Sequence, residues 1–144
     1  VRRFSGEECE FGYRESFWEK NEADGKRVIL SMRVCLPRAD KEEVLKTVEE
    51  LRAKRVASQP VEVPSAGSTF KRPEGYFAGK LIMDAGLKGF KLDESGAQVS
   101  PKHAGFVVNL GGATAKDVKQ VLEDVAEKVM ERTGICLEPE VRIW

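Results

Sequence analysis

The sequence predicts an α+β fold, in which a small antiparallel or mixed sheet packs against about three helices. Two patterns support this prediction. The clearest amphipathic stripe repeats with helical spacing and consists of Val118, Val121, Leu122, Val125 and Val129. Short runs rich in β-branched and aromatic residues, such as 105–109, separate the helical segments and indicate strands. Together the two patterns favour an α+β domain.

Composition places the chain among ordinary globular proteins and excludes several classes of function. Of its 144 residues, 41% are hydrophobic and 33% are charged, which is enough for a domain with a core. Lys plus Arg and Asp plus Glu number 24 each, so no net field favours nucleic acid or an anionic membrane. Any anion site must therefore be local. No apolar run approaches the roughly 20 residues that span a bilayer.

Cysteine usage and the start of the chain bear on its compartment and extent. Cys9, Cys35 and Cys136 are far apart, odd in number and without the spacing of a metal site. Isolated thiols favour a reducing compartment, so we expect a cytoplasmic protein with no bound metal. The chain opens at Val1 with a polar, unperiodic segment, which suggests either a piece of a longer chain or a cleaved or trimmed N-terminus.

The first two predicted elements are a strand and a helix. The strand covers 28–36, and its core face would carry Val28, Leu30, Met32, Val34 and Leu36. The helix starts at Asp40, an N-cap residue with Glu43 three positions on, and runs to about Lys54. Its apolar side carries Val44, Leu45, Val48 and Leu51. The basic residues at its end are expected to complement the helix dipole rather than to bind nucleic acid.

The middle of the chain predicts a short helix and a pair of strands. An apolar stripe over 76–85 indicates the helix, which Gly86 ends. Segments 87–92 and 97–99 are predicted strands that pair across the turn 93–96.

The last part predicts a strand, a long helix and an extended end. The strand covers 105–109. Thr114 caps the helix with Asp117 at the capping-box position, and Gly134 stops it. The segment 135–144 is extended.

The stretch 64–73 is predicted to be an active-site loop without regular structure. It reads PSAGSTFKRP, and its prolines and small residues argue against a helix or strand. Gly67 can adopt a positive φ and so present Ser68 from a sharp turn. With Lys71 and Arg72 beside it, the hydroxyl suits anionic chemistry. The alternative is a surface turn with a basic rim.

Other candidate residues each have two interpretations. Arg14 lies inside the aromatic stretch 11–18. It would either bind a carboxylate or phosphate through two guanidinium N–H groups, or form only a cation–π contact at the surface. His103, the single histidine, is either structural or a hydrogen-bonding ligand group. Glu138 and Glu140 lie two apart on an extended segment, so they either form an acid pair or both face water.

The chemistry of Ser68 depends on its partners. Ser68, Asp93 and His103 occur in the chain order of a hydrolase triad, but Ala66 and Phe70 replace the glycines of the nucleophile elbow. The other possibility is that Ser68 donates a proton. An arginine would then stabilise the negative charge and a carboxyl group would complete the site. That chemistry needs Ser68, Arg14 and Glu140 to converge.

Several motifs in a fixed order resemble a known family. They are YRES at 13–16, AGSTFKRP at 66–73, FAGKLI at 77–82, GLKG at 86–89, GAQVSPKHAGF at 96–106 and LEPEVR at 137–142. Together they resemble the C-terminal part of the UDP-N-acetylenolpyruvoylglucosamine reductases, flavoenzymes of bacterial peptidoglycan synthesis. The resemblance runs from about Phe11 to the end of the chain. Residues 93–95 look like a small expansion of a turn that is tighter in the family.

The resemblance implies a reaction, its cofactors and its site residues. NADPH would reduce FAD, and the enolpyruvyl group of a UDP-sugar would then receive hydride and a proton. Ser68 matches the proton donor, Arg14 the residue that stabilises the intermediate, and Glu140 the assisting carboxyl group. Tyr13 and Gly67 are expected beside the cofactor. The residues expected to bind the diphosphate and carboxylate of the substrate are Lys71, Arg72, Lys88, Lys102 and His103.

The resemblance also implies a division of the chain. Residues 1–37 would be the incomplete tail of the FAD-binding domain, and 38–144 the substrate-binding domain. The chain by itself is therefore expected neither to hold FAD tightly nor to turn over, and self-association through the surface left by the missing domain is open. The competing hypothesis is a non-catalytic α+β module that binds a nucleotide or a partner protein.

Overall fold

The structure is a computed structural model that describes residues 1–12, 15–21, 28–92 and 95–143. The chain divides into two compact units, Val1–Arg38 and Ala39–Trp144. In the first unit, helix α1 (Phe17–Lys20) begins where the Phe17 N–H donates to the Cys9 carbonyl, 2.8 Å away. Phe4 packs against the rings of Phe17 and Trp18, each at a centroid distance of 5.3 Å. These aromatic contacts form a small local cluster.

The strand predicted over 28–36 does not form, and that prediction is wrong. Residues 28–36 have no regular structure. The side chains that were expected to face a core are 60–80% exposed, namely Val28, Leu30, Met32, Val34 and Leu36. A strand exists only where a neighbour satisfies its backbone groups, and no described residue pairs with this segment. Alternation of apolar residues alone could not supply that neighbour.

Helix α2 (Lys41–Ser58) opens the second unit. The predicted cap is confirmed, because the Asp40 carboxylate accepts from the backbone N–H groups of Glu42 and Glu43 at 2.9 and 3.1 Å. The helix continues four residues past the predicted end at Lys54. Its apolar side chains, including Val44, Leu45, Val48 and Leu51, are 46–59% exposed.

The sheet has three antiparallel strands in the order β1-β3-β2, which are β1 (Ser65–Ser68), β2 (Ala97–Val99) and β3 (Phe106–Asn109). Two predictions are corrected here. The stretch 64–73 was expected to lack regular structure, yet its first half is β1, because pairing with β3 overrides its low β propensity. The segment 87–92 is not a regular strand, although it does pair with β2 as predicted, through a bridge between Lys91 and Gln98 and backbone bonds of Gly89 and Phe90 to Val99.

The core lies between the sheet and two helices, α3 (Ala78–Asp84) and α4 (Ala115–Thr133). The predicted stripe of α4 is confirmed, since Val121, Leu122, Val125 and Val129 are buried. They pack with side chains from α3 and the sheet, among them Leu81, Ile82, Ala97, Val99 and Val107. The predicted α+β fold, a small sheet packed against helices, is confirmed.

Two details set the ends of the core elements. Gly134 has φ 71° and ends α4, as predicted. Gly96 has φ 78°, and a Cβ there would lie 2.2 Å from the Gly111 carbonyl oxygen, so only glycine fits at the start of β2. Within the described ranges, no helix combines the length and the apolar character needed to cross a membrane.

Candidate functional site

One end of the sheet gathers most of the predicted site residues of the second unit. Strands β1 and β2 both run antiparallel to β3, so their last residues, Ser68 and Val99, lie at the same end as Phe106, the first residue of β3. Ser68 is exposed and lies opposite Phe106. The serine hydroxyl therefore stands at the edge of a sheet instead of on an irregular loop.

A β-bulge shapes the strand just before Ser68. Ser65 pairs with Val108 and Ser68 pairs with Phe106, so three steps along β1 match two steps along β3. The extra residue bends the strand and redirects its side chains. Gly67 accommodates the bend with φ 86°, and a Cβ there would meet no atom within 4 Å. Glycine is therefore favoured at position 67 by the positive φ of the backbone and not by crowding.

The segment after β1 pairs with the segment that contains Glu140. The Glu140 N–H donates to the Thr69 carbonyl over 2.9 Å, and the Lys71 N–H donates to the Glu138 carbonyl over 2.8 Å. Between these bonds, Phe70 and Pro139 form an antiparallel bridge. Segments 69–71 and 138–140 therefore lie side by side. The pairing brings Glu140 to the residue that follows Ser68.

The carboxylate of Glu138 forms an ion pair with Lys71. Its Oε1 forms an ion pair with the Lys71 ammonium across the two paired segments. Both side chains are more than half exposed. The ion pair links the segment of Glu138 to Lys71, and the backbone of the neighbouring Glu140 is bonded to Thr69.

His103 is held in a fixed orientation by the turn between β2 and β3. Its Nδ1 accepts a hydrogen bond from the Gly105 N–H at 3.1 Å, and its ring meets Phe106 edge to face at 5.1 Å. A Cβ on Gly79 would lie 3.2 Å from His103 Cε1, so α3 approaches the ring closely. Because Nδ1 accepts, the neutral ring carries its proton on Nε2, which is thus a donor.

Lys102 and Arg72, two of the predicted substrate-binding cations, have different kinds of partner in the structure. Lys102 donates to both carboxylate oxygens of Glu62, at 3.2 and 3.3 Å. Arg72 donates from Nε to the Tyr76 carbonyl at 3.2 Å, and its guanidinium lies 4.0 Å from the Phe77 ring centroid. The ring contact and this bond fix the orientation of the guanidinium.

Lys88 lies in the turn after α3, at the same end of the sheet. The next residue, Gly89, donates its N–H to the Val99 carbonyl at 3.1 Å, and Val99 precedes the turn that carries Lys102. Lys88 is exposed and forms no ion pair with a described residue. Its ammonium is available to a ligand at this end.

Two hydroxyl residues organise this end of the sheet and were missed as positioning residues. Ser100 is 1% exposed, and its Oγ accepts the N–H groups of Lys102 and His103 at 3.1 and 3.3 Å. A serine two and three residues before these donors is a turn signal that could have identified it. Thr69 is 3% exposed and bonds to β3. No local pattern indicates that role, because its partner Val107 is 38 residues away.

Some predicted residues lie outside the described part of the chain. Tyr13 and Arg14 are among them, as is Asp93 of the rejected hydrolase triad. Among the residues that the structure describes, no group of three or more His, Cys, Asp or Glu side chains could hold a metal ion.

The fold and the end of the sheet define a small α+β domain that places hydroxyl, carboxyl and imidazole groups beside cations. A family model described as "UDP-N-acetylenolpyruvoylglucosamine reductase, C-terminal domain" matches residues 59–144. The chain belongs to the UDP-N-acetylenolpyruvoylglucosamine reductase family, and the resemblance noted in its motifs is confirmed.

Individual relatives agree with this assignment. The chain is 52% identical to the reductase of Lachnoclostridium phytofermentans over 95% of its length, and 52% identical to that of Agathobacter rectalis over 99%. It covers 42% and 44% of those two proteins. The crystal structure of the reductase (MurB) from Thermus caldophilus superposes with a TM-score of 0.71 at 34% identity, covering 98% of this chain and 47% of that one. The chain thus spans less than half the length of these relatives.

Proposed function

We propose that this chain forms the substrate side of a reductase that converts UDP-N-acetylglucosamine enolpyruvate to UDP-N-acetylmuramate, using NADPH and FAD. The observation that carries the proposal is the pairing of 69–71 with 138–140, which brings Glu140 to the residue after Ser68. Reduction of the enolpyruvyl double bond requires a hydride donor and a proton donor, and a nearby carboxyl group can assist the proton transfer. Family membership supports the same reaction.

In this proposal Ser68 supplies the proton. The double bond gains a hydride at one carbon and a proton from the Ser68 hydroxyl at the other, which gives the lactyl ether. The flavin, when bound and reduced by NADPH, supplies the hydride. Arg14 stabilises the negative charge that develops on the substrate, and Glu140 assists the proton transfer. A serine is a weak acid, so these charged groups must favour its alkoxide.

Gly67, next to Ser68, leaves room for a flat cofactor ring. Gly67 has open space where a side chain would stand, so a planar ring can approach the backbone of β1 there. Tyr13 is the second residue we assign to the cofactor. Neither assignment adds a step to the proton transfer, since both residues only bind and orient the ring.

The substrate anions are assigned to the cations around the same end of the sheet. Their charges oppose those of a diphosphate and a carboxylate, and their donors suit phosphate oxygens. The cations are Lys71, Arg72, Lys88 and Lys102, and His103 is assigned beside them as a hydrogen-bond donor through Nε2. Arg72 and His103 are already oriented by neighbouring groups, whereas Lys71 and Lys102 must exchange a glutamate for the substrate.

We place this reaction in the cytoplasm and in peptidoglycan synthesis. The three cysteines are free thiols, which suits a reducing compartment. The relatives from Lachnoclostridium phytofermentans and Agathobacter rectalis are named as reductases of the same UDP-sugar.

The Ser68→Ala variant of the natural full-length enzyme tests the proposal. We expect reduction of the enolpyruvyl substrate to slow by about 10²-fold or more, because the proton donor is removed, while NADPH reduces the flavin at the normal rate. Stopped-flow absorbance of the flavin separates the two half-reactions. Ser65→Ala, which alters another exposed serine of the same strand, is the matched control.

Two results would contradict the proposal. Unchanged turnover in Ser68→Ala would remove Ser68 from the proton transfer. A wild-type enzyme that binds the UDP-sugar without reducing it would favour the binding-module hypothesis.

A further inference from the structure

We propose that Thr69 is a positioning residue, whose side-chain hydroxyl holds the backbone that carries Ser68 and Glu140 in the reactive arrangement. The inference rests on the proposed function of these two residues. It assigns to Thr69 no contact with the substrate. Its role would be exerted through the β-bulge and through the pairing of 69–71 with 138–140.

Three hydrogen bonds from Thr69 join three separate segments. Its N–H donates to the Gly105 carbonyl at 2.9 Å, and its carbonyl accepts from the Glu140 N–H at 2.9 Å. Its Oγ1 accepts from the Val107 N–H at 3.0 Å. Thr69 is 3% exposed, so water cannot replace these bonds. One residue therefore connects the end of β1, the start of β3 and the segment of Glu140.

The side-chain bond has a specific place in the sheet. Alternate residues of a strand direct their N–H groups to the same side, so Val107 and Asn109 both face β1. Asn109 donates to a backbone carbonyl, that of Pro64, at 2.9 Å. Beyond the bulge, Val107 donates to the hydroxyl of Thr69 instead. The side chain thus acts as an acceptor in a ladder that the bulge has shifted.

Loss of that acceptor should move Ser68. A valine at position 69 has nearly the same shape but no oxygen, so the buried Val107 N–H would lose this partner. The backbone around Thr69 must then shift until the Val107 N–H meets another acceptor. Ser68 precedes Thr69 in the chain and the Glu140 N–H is bonded to the Thr69 carbonyl, so both should move with it. Small displacements of reacting groups reduce rates strongly. Substrate binding should change less, because Lys88 and Lys102 lie on other segments and the side chain of Lys71 is flexible and more than half exposed.

Thr69→Val, Thr69→Cys and Thr69→Ser in the natural full-length enzyme test the inference. The acceptor is absent in valine, weak in cysteine and retained in serine. We expect kcat for substrate reduction to fall about tenfold or more in Thr69→Val, to fall less in Thr69→Cys, and to recover within about threefold in Thr69→Ser. KM for the UDP-sugar and flavin reduction by NADPH should stay within about twofold of wild type. Amide hydrogen exchange at Val107 and Glu140 should accelerate in the same order.

The results separate this inference from the proposed function. If the wild-type enzyme does not reduce the enolpyruvyl substrate, the proposed function and the role of Thr69 both fail. In the other case the wild type is active, and amide exchange at Val107 follows the strength of the acceptor at position 69. If kcat does not follow it as well, only the positioning role of Thr69 is overturned. Thr69→Cys and Thr69→Ser keep the comparison decisive should Thr69→Val fail to fold.

Discussion

At the scale of single residues, the ion pair of Lys102 and Glu62 bears on the proposed role of Lys102 in substrate binding. A hydrogen bond from its own backbone N–H and the bond from Lys102 hold the pKa of Glu62 below its usual value. A lowered pKa keeps the carboxylate ionised at neutral pH, and the pair is lost only as the pH falls through that lowered value. In the proposed function, the substrate would therefore have to displace Glu62 from Lys102 at neutral pH.

Glu62→Gln should strengthen binding of the UDP-sugar. The substitution frees the Lys102 ammonium for the diphosphate, and exposed pairs of this kind are worth little, so we expect KM to fall by about two- to fivefold with kcat unchanged. Steady-state kinetics of the full-length enzyme at neutral pH measure the effect. Glu74→Gln, which removes another exposed carboxylate, should leave KM unaltered.

An unchanged or increased KM in Glu62→Gln would place Lys102 away from the substrate. Lys102→Met provides the complementary measurement, because it should raise KM if the ammonium binds an anion.

Residue roles were partly predictable from sequence. His103 had two interpretations, and the structure gives it a structural bond at Nδ1 while leaving Nε2 as a donor. Thr69 could not be predicted, since nothing near it in the chain reveals that a β-bulge lets its hydroxyl accept from Val107. The roles of Ser68 and Glu140 came from the family motifs and stay predictions.

At the scale of elements, α4 is the best predicted part of the chain, and its start has a measurable pH dependence. The predicted capping box is present, with the Asp117 carboxylate accepting from the Thr114 N–H at 2.8 Å and from its hydroxyl at 2.7 Å. These bonds, the backbone one first, lower the pKa of Asp117. The contribution to stability is therefore present above the ordinary pKa and lost as the pH falls through the lowered one.

Asp117→Asn should lower Tm at neutral pH and flatten the loss of stability in acid. The neutral amide keeps the size of the side chain but removes the charge-assisted cap, and we expect a decrease of roughly a few degrees. Thermal unfolding followed by circular dichroism between pH 7 and pH 3 measures it. Glu131→Gln, at the exposed far end of the same helix, is the control. A variant with the acid profile of wild type would show that the capping carboxylate does not titrate with unfolding.

The strands were harder to predict than the helices, for a physical reason. A helix satisfies its own backbone, so the apolar period of α4 was sufficient. A strand depends on a neighbour, and 28–36 has none among the described residues despite its regular alternation. Conversely, β1 forms from Ser-Ala-Gly-Ser because β3 is beside it. Both wrong predictions, a strand at 28–36 and an irregular segment at 65–68, therefore have the same cause: pairing with a distant strand was not visible in the sequence.

At the scale of the whole molecule, one core between the sheet, α3 and α4 supports the site. Leu122→Ala should destabilise the protein by about 2–5 kcal/mol, because it leaves a cavity in this core. Met130→Ala on the same helix, at an exposed position, should change the free energy of unfolding by less than about 0.5 kcal/mol. Urea unfolding at 25 °C measures both. Equal losses would mean that α4 is not anchored through Leu122.

The family was predictable at this scale because six motifs occur in order over most of the chain. No single motif carries that information. The relative position of Ser68 and Glu140 was harder to predict from the sequence, because it depends on two segments pairing that no local pattern connects.

That pairing also affects how the protein is made. Lys71 and Glu138 are 67 residues apart, so on a ribosome that adds about 5–20 residues per second the second segment follows the first by several seconds. During that interval the end of β1 lacks its partner and can bind a neighbouring nascent chain instead. Docking of 138–140 therefore brings Glu140 to Thr69 and gives the backbone of 69–71 its partner in the same step.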